Sequence, residues 1–298
     1  MLKNISQLHD MARGNSRRRL VLAAAHDANA IDAVMNAHDN GLIDGILIGE
    51  EQKIRQIAKE KGLDLSAYTV MDEPDNALAA AKAVKMVRDG EAEVLMKGNL
   101  GTGTLLKAVL NKEQGLRTGE QISHLAIFEL DAYHKLIGLT DAAMNIAPEF
   151  HEKVSITRNA VNYFRQLGID RPKVAMLSAV ETVNPAMKSS MEASAIAKMG
   201  DRGQIKNCVI DGPLAFDNAV SQRSAQTKGI SSPVAGDADI LVSDAIDAAN
   251  VLYKALIYFA GAKCAAVILG AAAPVVLTSR ADSDETKLNS IALAAAVK

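Results

Sequence analysis

Tryptophan is absent from the 298 residues, only 3% of them are aromatic, and cysteine occurs twice. With few flat side chains there are few platforms on which bases could stack, and a net charge of -2 sets up no long-range field for a polyanion. Nucleic acid is therefore not an expected partner. The one basic run, Arg17, Arg18 and Arg19, directly precedes an apolar stretch and reads as the solvated start of a strand. No apolar run reaches the ~18 residues a membrane helix needs. The opening stretch MLKNISQLHDMARGNSRRR is polar throughout and has no signal-peptide core. A cytoplasmic location without a membrane partner is expected. Cys208 and Cys264 sit in the apolar runs NCVIDG and AKCAAVILG, without the paired spacing of a zinc site or a redox pair. They are expected to be buried, reduced thiols, with no metal.

What the chain does have is apolar residues, 49% of the total against 23% charged. That suffices for a large core, and at ~100 to 200 residues per domain two domains are expected. Short runs rich in Val, Ile and Leu recur at 20–24, 45–49, 93–96, 125–128, 136–139, 174–177, 209–210, 240–242 and 267–269. Between many of them lie stretches with apolar residues three and four apart, such as 50–62, 75–90 and 244–261. The alternation predicts an α/β fold of two three-layer αβα domains with mainly parallel sheets. Only 125–128 and 136–139 follow each other without a helix, and the polar turn between them predicts a hairpin at a crossover between domains. With a second crossover near the small-residue run GAAAP, the expected division is 1–128 plus 271–298 for the first domain and 129–270 for the second.

Three segments could carry chemistry. In 266–290, AVILGAAAPVVLTSRADSDETKLNS, a strand and a turn lead to Ser279 and Arg280 just before a helix, which Asp282 or Ser283 can cap with Glu285 as capping-box acid. The helix start is placed at Ser279 and Arg280. Free amide groups at a helix start, joined by a planar guanidinium, suit a small dianion, although an ion pair with Asp282 or Asp284 is the plainer reading. In 93–110, EVLMKGNLGTGTLLKAVL, Lys97, Gly98 and Asn99 follow a strand, where glycine lets a backbone approach a ligand closely. The segment has neither the ending of a Walker loop nor a GxGxxG pattern, and an ordinary strand-to-helix turn reads equally well. In 138–150, Thr140, Asp141 and Asn145 could orient a phosphate or an amide, or simply cap a helix beginning near Pro148. Downstream, SAVETVN, DGPLAFDNAVS and the pair Asp237 and Asp239 are placed at the ligand-facing strand ends of the second domain. The six histidines accompany no HExxH, triad order or GxSxG and are expected to be structural or on the surface.

In order and spacing, LMKGNLGTGTLLKAV, GLRTGEQISHLAIFE, LTDAAMNIAP, PKVAMLSAVETVN, DGPLAFDNAVS, AGDADILVSDAIDAANVLYKAL and VILGAAAPVVLTSRADSDETKLNSIALA resemble the successive blocks of the phosphate acetyl/butyryltransferase family. The resemblance runs from about residue 20 to the end, and GLRTG and LTSRADS are closer to the butyryltransferase branch. It implies an acyltransferase moving a short-chain acyl group between CoA and phosphate, butyryl first and acetyl or propionyl as alternatives. It further implies a fold like isocitrate and isopropylmalate dehydrogenases, a homodimer or higher homo-oligomer, and acyl-CoA and phosphate as substrates without a covalently bound cofactor. Ser279 and Arg280 match the pair that the acetyltransferase branch uses for thiolate stabilisation and for phosphate or CoA binding. The aspartate serving that branch as base falls on Thr286 here, which leaves Asp282 and Asp284, with Glu285 beside them, as the nearby acids. Arg117, Lys97, Gly98, Asn99, Thr140, Asp141 and Asn145 complete the expected phosphate and CoA contacts. Two other classes stay open: a non-catalytic acyl-CoA-sensing module, and an oxidoreductase of the isocitrate dehydrogenase kind, whose metal-binding aspartates and cofactor loop are not found.

Overall fold

The computed structural model describes residues 2–277 and 282–297. Backbone contacts divide the chain into a terminal unit, Ser6–Glu120 with Ala265–Lys298, and a central unit, Met1–Ile5 with Gln121–Cys264. The expected boundaries, 128/129 and 270/271, fall later in the chain. The strand at 123–129 is the reason: it is hydrogen-bonded to its hairpin partner and groups with it.

The terminal unit opens with α1 (Ser6–Gly14), β1 (Arg18–Ala23), α2 (Ala28–Asp39), β2 (Ile43–Gly49), α3 (Glu51–Lys61), β3 (Thr69–Asp72), α4 (Asn76–Arg88), β4 (Val94–Lys97) and α5 (Thr102–Val109). The central unit holds β5 (Ser123–Glu129), β6 (Ile137–Thr140), α6 (Phe150–Gln166), β7 (Lys173–Leu177), α7 (Lys188–Asp201), β8 (Val209–Leu214), α8 (Phe216–Val220), α9 (Gln222–Thr227), β9 (Ile240–Val242) and α10 (Ile246–Tyr258). β10 (Lys263–Leu269) returns the chain to the terminal unit, followed by β11 (Val275–Val276) and α11 (Asp284–Ala296).

Both units are mixed α/β with mainly parallel strands. In the terminal unit the order is β3-β2-β1-β4-β11-β10, parallel except where β10 meets β11. In the central unit it is β5-β6-β9-β7-β8, parallel except for the β5–β6 hairpin, where Ala126 faces Leu139 and Phe128 faces Ile137. Parallel strands are covered by helices and so read as continuous apolar runs. β2 and β4 are accordingly almost wholly buried, as is β1 from Leu20 onward. β3 was missed because an edge strand needs no such run: its four residues are all partly exposed. β11 was missed because two residues are too short to show a period.

Short side chains set the helix starts. Asp27 accepts the amide of Ala30, and Asp75 those of Ala77 and Leu78, satisfying donors that have no partner within a helix. Gly62, at φ +67°, ends α3 in the left-handed conformation only glycine adopts freely. In the central unit Gly138 makes room for the ring of Phe164; a Cβ there would stand 2.9 Å from it. Burying such a ring contributes ~2 to 3 kcal/mol.

Candidate functional site

In open parallel sheets ligands meet the carboxyl ends of strands, so those ends are where the candidate residues matter. In the terminal unit β4 ends at Lys97, and the Gly98 and Asn99 amides continue its pairing by donating to the Ala23 and Ala24 carbonyls at 2.9 and 2.8 Å. A Cβ on Gly98 would lie 2.4 Å from the Ala24 oxygen. The glycine is thus required by its own neighbour chain, which accounts for it without a ligand. Ala24 itself is held at φ +55°. The Lys97 ammonium folds back over this turn, donating to the Gly98 and Leu100 carbonyls at 3.1 and 3.3 Å. Asn99 is exposed, and its carbonyl accepts from the Asn76 amide at 2.9 Å. Gly101 precedes α5 without a side-chain cap, and its carbonyl accepts the Thr104 amide at 3.0 Å.

Arg117 is exposed, but its backbone is anchored. It forms a bridge with Ala271, the Ala272 amide donates to the Leu116 carbonyl at 2.8 Å, and the Thr118 hydroxyl donates to the Gly270 carbonyl at 2.6 Å. GLRTG therefore runs along the turn after β10, in the segment that leads toward Ser279 and Arg280. Those two residues lie outside the described residues. Beyond them the helix starts later than expected. The Ser283 hydroxyl accepts the Thr286 amide at 3.1 Å and sits 3.0 Å from the Thr286 hydroxyl, which puts the cap at 283 and the first helical residue at Asp284. A start at Ser279 and Arg280 is thereby corrected: the cap that satisfies the first turn comes after them. Asp284 is 80% exposed and pairs at 3.1 Å with Lys287, which is only 6% exposed. Asp282 is half-exposed.

In the central unit β6 ends in a buried Thr140, whose hydroxyl has no partner among the described residues, followed by Asp141 across a cis peptide. The Asp141 carboxylate is used within its own loop, accepting the amides of Ala143 and Met144, each at 2.9 Å, and the Asn145 side chain at 2.5 Å. Asn145 also donates to the Ile122 carbonyl at 2.8 Å and accepts from Gln121 at 2.5 Å, so its amide is fully engaged. Neither residue caps the next helix. That role belongs to Glu149 and Glu152, the latter accepting the Glu149 amide at 2.8 Å. His124 lies in β5, against the Tyr253 ring at 5.9 Å, and burial lowers its pKa although Asp141 pulls the other way.

Asp237 and Asp239 stand before β9, at its amino end, and not at the ligand-facing edge where the sequence placed them. There the buried Lys135 ammonium pairs with both, at 2.9 and 2.7 Å, and Asp237 also receives Lys173 and His134. Burial alone would push the Asp237 carboxyl up, but hydrogen bonds from Lys173, Lys135 and His134 overcome it and hold it well below the usual carboxylate range. The opposite edge, after β9, carries a cluster the sequence reading missed. Lys153, 4% exposed, pairs with Glu192 at 2.6 Å and with Asp244. One signal was available: Lys153 falls on the same helical face as the buried Ile156, Thr157 and Ala160, where a cation must find a partner.

Comparison with known proteins bears on the whole chain. The family model described as phosphate acetyl/butaryl transferase matches residues 3–79 and 76–295. A phosphate butyryltransferase of Clostridium beijerinckii is 48% identical over 297 residues, covering 100% of this chain and 98% of that protein. A phosphate acetyltransferase of Thermotoga maritima is 44% identical, covering 98% of each. Among solved structures, a branched-chain phosphotransacylase from Enterococcus faecalis superposes with a TM-score of 0.83 at 35% identity, covering 93% of this chain and 97% of that one. A 4-hydroxythreonine-4-phosphate dehydrogenase from Klebsiella pneumoniae, at 13% identity and TM-score 0.59 over 94% and 98% of the two chains, shares the fold alone.

Proposed function

The chain belongs to the phosphate acetyl/butyryltransferase family, and from that premise we infer that it is an acyltransferase exchanging a short acyl group between coenzyme A and inorganic phosphate: acyl-CoA + phosphate ⇌ acyl phosphate + CoA. The observation that carries this reading is 48% identity over 297 residues to a butyryltransferase, 98% of whose length is covered. Butyryl is the proposed acyl group, since the identity to that relative exceeds the identity to the acetyltransferase. We also read the two units as two three-layer domains of the isocitrate and isopropylmalate dehydrogenase kind, working as a homo-oligomer.

A thioester has a tolerable leaving group, so the work lies in orientation and charge. Phosphate must be held in line with the carbonyl carbon, and the oxyanion of the tetrahedral intermediate must be stabilised before CoA thiolate departs. Positioning two substrates removes ~7 to 11 kcal/mol of barrier, and one oxyanion donor ~3 to 4 kcal/mol. No covalent enzyme intermediate is needed. Arg280 and Arg117 are proposed to hold the phosphate, since a guanidinium matches two of its oxygens. Ser279 is proposed to donate to the departing thiolate, and Asp282 or Asp284 to take the CoA proton in the reverse direction. Lys97 and Asn99 are proposed as further contacts, with Gly98 shaping their turn. Thr140, with its buried hydroxyl, is proposed as the contact of the central unit, on a loop that Asp141 and Asn145 keep folded.

The test is thiol release from acetyl-, propionyl- and butyryl-CoA with and without phosphate. Release only with phosphate, and the highest kcat/KM for butyryl-CoA, is expected. Arg280→Ala should chiefly raise the KM for phosphate or CoA, and Ser279→Ala should chiefly lower kcat. Thiol release indifferent to phosphate would remove the activity, and near wild-type kinetics in both variants would remove the site.

A further inference from the structure

The ligand-facing edge of the central unit holds a charge that its own partners leave unbalanced. Buried Lys153 pairs with Glu192 at 2.6 Å and with Asp244, and the Lys188 ammonium lies 3.5 Å from both Glu192 and Glu149. Two ammonium groups thus face three carboxylates. The cluster at the opposite edge sets two lysines, Lys135 and Lys173, against two acids, Asp237 and Asp239. At the ligand-facing edge the surplus falls on Asp244. Glu192 is met by both lysines, whereas the Asp244 carboxylate has no partner but Lys153 among the described residues. Of the two acids that Lys153 holds, Asp244 is also the more open, its side chain 40% exposed against 14% for Glu192. It follows β9 directly and stands beside Thr140: the Ser243 amide donates to the Thr140 carbonyl at 2.8 Å. The Thr140 hydroxyl is fully buried and has no partner among the described residues.

We propose that the Asp244 carboxylate binds the pantetheine arm of CoA, accepting from its amide N–H or hydroxyl groups, and that Lys153 is the positioning residue that fixes it. The inference rests on the acyl-transfer reading for its ligand and on charge for the part of the ligand concerned. A carboxylate with surplus charge at the edge where ligands of parallel sheets bind repels phosphate groups. It suits a CoA ligand only where that ligand is uncharged and offers hydrogen-bond donors, and the pantetheine arm is such a stretch. Inorganic phosphate is itself an anion, the acyl chain has no donor, and the ribose hydroxyl lies beside the ribose phosphate. Lys153 can hold the acid still because it is itself held. Its stem is buried, the Thr157 hydroxyl donates to its carbonyl at 2.7 Å, and Glu192 meets its charge from the other side. A carboxylate fixed in this way loses little freedom when a ligand arrives.

Titration calorimetry with CoA, and with pantetheine as a competitor displacing it, tests the contact without relying on turnover. Circular dichroism checks folding, and Asp244 variants leave the Lys153–Glu192 pair in place. Asp244→Ala is expected to weaken CoA and pantetheine alike by about tenfold, the scale of one hydrogen bond to a charged group. Asp244→Asn, which keeps an accepting oxygen without the charge, should lose less. Lys153→Met should weaken both ligands in the same direction, and adding it to Asp244→Ala should cost no further affinity, because its effect passes through Asp244. A loss seen with CoA but not with pantetheine would place the contact on the nucleotide and overturn the proposal. Tighter CoA binding by Asp244→Ala, or unchanged binding, would overturn it too. Losses that add in the double variant would overturn the positioning role of Lys153. A wild-type chain that binds CoA in the expected manner but releases thiol without phosphate would end the acyl-transfer reading and leave this contact standing; one that binds neither ligand would end both.

Discussion

Two lysines of the central unit are buried to the same degree, Lys135 at 3% and Lys153 at 4% exposure, and each is paired with two carboxylates. They differ in where they sit on the sheet and in what surrounds the acids. Lys135 lies at the amino end of β9, with Asp239 9% and Asp237 21% exposed. Its cluster is closed by backbone: the ammonium also donates to the Asp237 carbonyl at 2.9 Å, the Tyr133 hydroxyl to the Ala238 carbonyl at 2.7 Å, and the Lys173 amide to Asp239 at 2.7 Å. Lys153 serves the carboxyl end of the same strand, and one of its partners, Asp244, is 40% exposed. A charge taken out of water must be met in full by the protein, whereas one left half in water is met partly by solvent. The closed cluster therefore acts as a fastening of strand ends. The open one leaves a carboxylate at the edge where ligands of parallel sheets bind.

The comparison can be broken at three strengths. Lys135→Met leaves a buried carboxylate without its cation and should cost ~3 to 5 kcal/mol in urea unfolding, with kcat/KM of the surviving enzyme near wild type. Lys153→Met should cost less, ~1 to 3 kcal/mol, because Asp244 can turn into water, while kinetics change more. If the two costs came out in the opposite order, the distinction between closed and open clusters would be lost. The smallest effect is expected of Lys173→Met. Lys173 is 32% exposed and Asp237 retains Lys135 and His134, so the loss at neutral pH should stay under ~1 kcal/mol. Acid sharpens this last prediction. The Asp237 carboxyl is held below its usual range, so its contribution is complete above the unfolded value of ~3.9 and fades as pH falls through the lower folded value. Stability of wild type and variant should therefore converge below about pH 4, and a gap that widened there would exclude Asp237 as the group responsible.

Much of the fold was legible because its signal is local. Buried parallel strands must be apolar throughout and their helices must be apolar at steps of three and four, and both patterns survive in 43–49, 94–97, 51–61 and 76–88. The hairpin at β5 and β6 was legible from its polar turn. The two short or exposed strands were not, since neither buries enough surface to write a pattern. The candidate site was legible only in part. Gly98 reads from sequence as a ligand-facing glycine, but the nearest atom to its absent Cβ belongs to Ala24, in the turn just after β1, far earlier in the chain. Asp141 and Asn145 read as free polar residues or helix caps; the partners that occupy Asn145 include Gln121 and Ile122, at the approach to another strand.

By itself the sequence determined the order of βα units and the family, because each of these is written in neighbouring residues. Only the tertiary structure decided that Lys135 and Lys153 are buried ions and that Gly98 yields to a neighbouring chain. Those outcomes depend on which distant strand ends and helices come together, and a charge or an apolar surface has no fixed energetic meaning until its neighbours, or the water that replaces them, are in place.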